Sequence, residues 1–429
     1  MNERPTENSH RTLPDLLATL RYLLRWTPIA AIAGMLAGTA SALLIWSLNV
    51  ATALREVHPW LIALLPLGGL AAGCMYLWLG RSVDGGNDLI LDEIHDPQST
   101  IPLRMTPLIL IATFVTHLFG GSAGREGTAL QTGASLADQL AGPFRLKPHE
   151  RRILLMAGVS AGFASVFGTP LAGAVFGLEV LAIGAMNYEA IAPCFLAAFV
   201  GDMTTRAWHV HHEVYQVIDP PAIHTRGLLY ALLAGAVFGL VGMAFARASH
   251  AVSAIFKRHI AWAPLRPFVG GIVVAAAVFA LHTTRYIGLG TPTIAAAFTG
   301  RVPAYDWLGK FMFTAVTLGA GFKGGEVTPL FYIGATLGNA LSYVLPLPPA
   351  LFAAMGFVAV FAGAANVPIA SILMAMELFG PVAGIYAGIA CVGSYLFSGH
   401  AGIYGSQRIG QAKGSVKTTS EEHIDATQL

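Results

Sequence analysis

Apolar stretches long enough to cross a bilayer, or nearly so, recur along the whole chain. Between them lie shorter ones cut by glycine or proline. A spanning helix needs about 20 apolar residues, and segments 28–53, 60–79, 104–119, 226–247, 264–282 and 304–320 reach or approach that length. Segments 127–142, 153–167, 170–185, 329–345, 350–365 and 367–379 are shorter and interrupted. A broken helix frees backbone N–H and C=O groups, which a membrane interior tolerates only where protein or a water-filled cavity satisfies them. Many such breaks predict an all-α polytopic membrane protein whose half-helix ends converge on a central site. With 11% charged and 55% hydrophobic residues, against about a quarter charged in a soluble domain, a water-soluble enzyme is excluded. The 25 basic and 23 acidic residues nearly cancel, so no nucleic-acid partner is indicated. Cys74, Cys194 and Cys391 stand far apart in apolar runs and suggest neither a disulfide framework nor a zinc site.

The organisation follows from where polarity gathers. Residues 1–27 are polar, with Leu16, Leu17, Leu20, Leu23 and Leu24 at helical spacing and arginines opposite. That pattern predicts an amphipathic segment at the membrane surface. Basic residues ahead of the first span favour a cytoplasmic N-terminus, and no cleaved signal peptide is expected. A first membrane half is expected over 28–206, a polar connection over 207–225, a second half over 226–400, and a terminal segment with a flexible tail over 401–429.

The two halves repeat. Gly158, Ala161, Phe163, Ala164, Pro170, Ala172 and Glu179 recur as Gly356, Ala359, Phe361, Ala362, Pro368, Ala370 and Glu377, at a constant offset of 198. Upstream, Gly120, Gly124, Gly133, Ala134 and Leu136 recur as Gly321, Gly325, Gly334, Ala335 and Leu337, at an offset of 201. Repeats of this kind place a transported species near the bilayer midplane. Glu126, in Gly120-Gly-Ser-Ala-Gly-Arg-Glu-Gly-Thr128, and Glu326, in Gly321-Phe-Lys-Gly-Gly-Glu-Val-Thr-Pro329, fall at matching places ahead of apolar helices. An intramembrane carboxylate costs about 2.5–3.5 kcal/mol on insertion scales and is a functional candidate for that reason. Helix N-termini rich in free N–H groups attract anions. An acid at such a site competes with the anion when ionised and vacates it when protonated. The structural alternative pairs Glu126 with Arg125 and Glu326 with Lys323.

At these residues the chain resembles the CLC family of chloride channels and anion/proton antiporters, over essentially all of 28–405. The likeness rests on Gly-Arg-Glu-Gly at 124–127, Pro-Leu-Ala-Gly…Glu at 170–179, and Gly-Gly-Glu-Val-Thr-Pro at 324–329. Gly-Ala-Thr-Leu-Gly at 334–338, Pro368…Glu377 and the tyrosine of Gly-Ile-Tyr-Gly at 402–405 complete it. The resemblance implies a homodimer of inverted repeats with tilted helices of unequal length. Four departures from the chloride-type pattern resemble the fluoride/proton antiporter clade, CLC-F. Gly-Ser-Gly-Ile-Pro becomes Gly85-Gly-Asn-Asp-Leu-Ile, with Asn87 aligned to the serine. Gly127 is followed by Thr128 rather than proline, Gly-x-Phe-x-Pro becomes Gly325-Glu-Val-Thr-Pro329, and a double acid is reduced to Glu179-Val180.

The resemblance implies Glu126 as the gating acid that carries the proton and competes with the anion, and Glu326 as a second acid affecting proton movement. It implies Asn87, Gly124, Arg125, Gly127, Val327, Thr328 and Tyr404 at the anion site, with no cofactor and no metal. The expected cargo is fluoride, exchanged for protons across a bacterial inner membrane, with chloride as the alternative; lipid and a second copy of the chain are the expected partners.

Two further patterns compete for attention. Gly158-Val-Ser160-Ala-Gly162 matches the nucleophile elbow of serine hydrolases, but it lies in an apolar helical stretch, where helix packing is expected. His209, His211, His212 and Glu213 could ligate a metal, but a solvated loop is expected. Asp92, Glu93, His95 and Asp96 are expected to close a short helix and face water.

Overall fold

The computed structural model describes residues 12–414. Among them are sixteen α-helices, eight on each side of an irregular connection. The first eight are α1 (Thr12–Val57), α2 (Leu65–Leu79), α3 (Asn87–His95), α4 (Met105–Leu118), α5 (Glu126–Asp138), α6 (Pro148–Phe167), α7 (Pro170–Glu179) and α8 (Ile191–Ala207). The second eight are α9 (Thr225–His259), α10 (Leu265–Leu281), α11 (Thr291–Thr299), α12 (Asp306–Gly319), α13 (Val327–Leu341), α14 (Pro349–Ala365), α15 (Pro368–Phe379) and α16 (Pro381–Phe397). Long, medium and short helices follow in the same order in both halves. α3 and α11 have 9 residues each, α4 and α12 have 14 each, and α8 and α16 have 17 each.

Three helical stretches, Leu16–Val57, Pro59–Leu79 and Thr225–His259, are long and apolar enough to cross a membrane. The others must share the crossing, as the interrupted stretches imply. The apolar segments read from the sequence leave out α3, α8, α11 and α16: Asp202 and Arg206 dilute α8, α3 and α11 are only about two and a half turns long, and α16, though apolar throughout, is not among them.

The repeated glycines are crossing points. Cβ atoms added at Gly158 and at Gly356 would come within 2.6 Å and 2.0 Å, respectively, of the carbonyls of Gly133 and Gly334. α6 therefore lies directly on α5, and α14 on α13, backbone against backbone, as small residues permit in membranes. Phe163 and Phe361, equivalent by the repeat, face each other at 6.0 Å in an aromatic stack that includes Phe176 and Phe331.

Three expectations are corrected. α1 runs unbroken through Pro28, so the amphipathic leucines continue into the first spanning helix without a break rather than forming a helix of their own. Pro28 removes one donor, which a helix this long absorbs. Residues 1–11 lie outside the described part. Glu93 does not face water: it is 6% exposed and bonded to Arg151 at 2.8 Å and to the Gln98 N–H at 2.9 Å.

The terminal segment is docked through residue 414. Arg408–Ile409 pair in parallel with Ala182–Ile183, and the Gln407 amide donates to the Val180 and Ala365 carbonyls. Lys413 Nζ donates to Asn366 Oδ1 at 2.5 Å and Ser398 Oγ at 2.9 Å; residues 415–429 lie outside the described part. For Ser160 the expectation of helix packing holds. It is fully buried inside α6, where its hydroxyl donates to the Ala174 carbonyl at 3.3 Å.

Candidate functional site

α5 and α13 begin side by side. The Gly124 N–H donates to the Gly325 carbonyl at 2.6 Å, and the Gly325 N–H returns to the Gly124 carbonyl at 2.9 Å. This short antiparallel bridge joins the glycine loops of the two halves. Gly120 at φ 85° and Gly321 at φ 100° turn the chain into those loops from α4 and α12, a left-handed conformation that side chains rarely adopt. Two helix N-termini, each with N–H groups unsatisfied by its own helix, thus open at one point.

Glu126, the first residue of α5, sits at this point and is fully buried. Its Oε2 accepts from the Arg125 N–H at 3.1 Å, and its Oε1 accepts from the Thr328 hydroxyl. Glu326 precedes the first residue of α13. At the offset of 201 that relates Gly124 to Gly325, Glu126 is equivalent to Val327, so Glu326 stands one position ahead of the strict equivalent of Glu126. It feels the charges of Glu126 and Asp88.

Neither acid is in an ion pair among the described residues. Lys323 binds Asp84 at 2.7 Å and lies over the Tyr76 ring, while Arg125 Nε is buried without a hydrogen-bond partner. The ion-pair alternative is thereby removed.

Asn87 opens α3. A Cβ added at Gly127 would lie 3.1 Å from Asn87 Nδ2 and 3.0 Å from the Gly324 carbonyl, so glycine lets the amide and the second-half loop approach together without crowding. Asn87 Oδ1 is buried with no partner, and such orphans call for an explanation. Tyr404 is held opposite by the docked terminal segment. Ile403 N–H donates to the Ala364 carbonyl at 2.9 Å, and Ser406 N–H donates to Asp88 Oδ1 at 3.2 Å. Asn87 and Tyr404 share a cavity of about 10 Å³ with Phe176 and Val180, the space of about one water-sized particle. Tyr404 also meets the edge of Phe176 and faces the charges of Glu326, Glu126 and Asp88.

Not every candidate gathers there. Arg125 and Thr328 line a different cavity of about 30 Å³, together with Phe167, His212, Glu213 and Tyr215. Glu126 lies between the two: Thr328 holds its carboxyl from one side, and Asn87 lies against the adjoining Gly127 on the other. Val327 is buried in the main core. The predicted residues thus divide into two chambers with one acid between them. Asp88, which steadies the Tyr404 segment, gave its one sequence signal by adjoining Asn87. Tyr215 gave none.

The other glutamate pair is spent. Glu179 accepts from the Ile369 and Ala370 N–H groups at 3.0 and 2.8 Å, at the start of α15. Glu377 accepts from the Leu171 and Ala172 N–H groups, both at 2.9 Å, at the start of α7. Each helix ends in the carboxylate that caps the other, which accounts for the repeated Pro…Glu spacing.

The family model for voltage gated chloride channels matches residues 68–399. A chloride/fluoride channel protein of Pseudomonas syringae pv. tomato is 56% identical over 406 residues, covering 93% of this chain and 90% of that one. A crystal structure of a CLC-type fluoride/proton antiporter matches with TM-score 0.88 and 35% identity, over 90% of this chain and 98% of that one. The structure of a slow cyanobacterial Cl⁻/H⁺ antiporter shares the fold, with TM-score 0.77 at 21% identity. On the matched segment, the overall identity and the architecture together, the chain belongs to the voltage-gated chloride channel family of membrane proteins, whose members are channels or transporters and not enzymes.

Proposed function

We propose that the chain is a fluoride/proton antiporter in which Glu126 alternates with the anion at the meeting point of α5 and α13. The observation that carries this reading is the Gly124–Gly325 bridge with an un-ion-paired Glu126 buried beside it. When ionised, the carboxylate occupies the N–H-rich mouth of the two helices. When protonated it gives up that position, and the anion enters with the Thr328 hydroxyl, the Asn87 amide and the Tyr404 hydroxyl as donors. One titrating group thereby ties anion movement to proton movement.

Fluoride is favoured by the kind of groups present. It is small and strongly hydrated, so a site must replace its water shell with donors at close range; Asn87, in place of a serine, adds an amide. Fluoride is also basic enough to share a proton with a carboxylic acid, which gives Glu326 a use that pure conduction would not require. Support comes from the relatives whose names include fluoride. The homodimer, the bacterial inner membrane and the cytoplasmic N-terminus belong to the same proposal.

The test is efflux from proteoliposomes loaded with fluoride or with chloride, with external pH recorded. Fluoride efflux faster than chloride, coupled to opposite proton movement, supports the reading. Chloride passing faster, with no proton movement, overturns it. The second reading, a chloride channel or chloride/proton exchanger, is kept by the relative whose name lists chloride beside fluoride.

A further inference from the structure

The connection between the halves does not simply hang in solvent. His212 Nε2 donates to the Ser165 carbonyl at 2.9 Å, and its ring packs on Gly168, whose φ of 73° leaves room for it. Tyr215 is buried, stacked 5.3 Å from Phe298 and tilted against Phe357 at 5.5 Å. These two anchors pin 212–215 over a cavity of about 550 Å³ that also reaches Arg206, His209, His211 and Glu377. Phe167, His212, Glu213 and Tyr215 line this outer cavity and also the 30 Å³ chamber that holds Arg125 and Thr328. A continuous set of walls therefore leads from the connection to the Thr328 hydroxyl, and Thr328 binds the Glu126 carboxyl.

We infer that His212 and Glu213 form the proton-collecting mouth of the pathway to Glu126. This rests on the gating role proposed for Glu126. A proton from the outer cavity is taken by the Glu213 carboxylate or by His212 Nδ1, the ring nitrogen left without a proton when Nε2–H serves Ser165. It crosses the inner chamber, which has room for about two waters, to the Thr328 hydroxyl, which takes it up as it releases its own proton to the Glu126 carboxylate; the collecting group and the hydroxyl are left as they began. His212 faces the charges of Arg125, Asp202 and Arg206, and Glu213 faces the Tyr215 phenol. Of these, Asp202 and Arg206 pair with each other at 2.8 Å, and Glu377 is held by the α7 N–H groups. Burial keeps His212 below the ordinary histidine value of 6.5, so the ring is neutral at about pH 7 and able to accept.

The test compares wild type, Glu213→Gln, His212→Gln with Glu213→Gln, Glu213→Asp and Glu126→Gln, all as full chains in proteoliposomes. It reads fluoride-driven proton movement against pH. Glu213 is exposed, and Gln at 212 can still donate to Ser165, so these changes spare the fold. The double variant is expected to slow coupled turnover about tenfold at about pH 8, where collecting groups matter most, and little at about pH 6. The anion-to-proton ratio should stay unchanged, and Glu213→Asp should behave as wild type. A double variant with the wild-type pH profile, or with an altered ratio, overturns the inference. Coupled exchange surviving in Glu126→Gln overturns the parent reading instead, so the two failures are distinct.

Discussion

Two pairs of glutamates lie at helix ends near the middle of this molecule, and they have opposite fates. Glu179 and Glu377 each take two N–H groups from the start of the opposing helix. Their geometry is fixed from both sides, and nothing is left for a ligand. Glu126 accepts from a neighbouring N–H and the Thr328 hydroxyl, with the backbone N–H groups of its own residue and of Thr328 also turned to it, and among the described residues Glu326 has no side-chain hydrogen bond across the halves. The same residue type is structural where the opposite half supplies a matched pair of capping donors, and in the proposed reading it exchanges with the anion where that half supplies a bridge of glycines. The distinction lies in the partners: burial alone does not make it, since Glu179 is 5% exposed and Glu126 0%.

The sharpest way to break this comparison is to neutralise each pair in turn. Glu126→Gln keeps the side chain's size and should reduce proton-coupled turnover about 100-fold or more, with an unchanged elution profile and melting temperature; undiminished coupled exchange in liposomes would remove Glu126 from its role. Glu179→Ala should do the reverse. It strips two charge-assisted bonds from α15 and should cost about 2–3 kcal/mol of stability, seen as a lower midpoint in thermal unfolding in detergent, while the coupling ratio of the surviving protein holds. If Glu179→Ala instead uncouples protons without lowering stability, the division between the pairs is wrong.

Glu326→Gln should fall between them, weakening proton coupling by about tenfold and anion binding less, measured by calorimetric fluoride titration beside the flux assay. Equal loss of both would mark Glu326 as structural. The smallest effect concerns the segment that carries Tyr404. Burial lowers Lys413 from 10.5 to about 8, so its charged form is penalised in the docked state. The penalty is complete below about pH 8 and fades as pH rises towards 10.5, because the undocked chain holds the proton more tightly in that window. Docking of 401–414 should tighten over that range, read as slower proteolysis or hydrogen exchange of the segment, and Lys413→Met should flatten the dependence.

Much of this was legible in the chain itself. The interrupted apolar stretches implied a polytopic helical protein because lipid leaves no other outlet for backbone polar groups. The repeated glycines at 133, 158, 334 and 356 were visible as a periodic pattern before any contact was known, and each turned out to be a point where two backbones touch. Glu126, Asn87 and Tyr404 could be singled out from local motifs. That Asn87 and Tyr404 share one small cavity beside Glu126 could not, since they stand some 39 and 278 positions from it and are joined only through the packing of α3, α5 and the terminal segment.

Other features were hidden for definite reasons. The glutamates at 179 and 377 look like intramembrane acids until the opposite helix is in place, because a cap is defined by its partner. The histidines of the connection read as solvated, because polarity in a linker says nothing of the cavity it covers. Sequence alone determined that this chain must bury itself in a membrane as helices, since its charge is too sparse for water and its breaks too frequent for simple spans. Only the tertiary structure decided which of its acids are held and which are free, because that depends on N–H groups brought from nearly two hundred residues away.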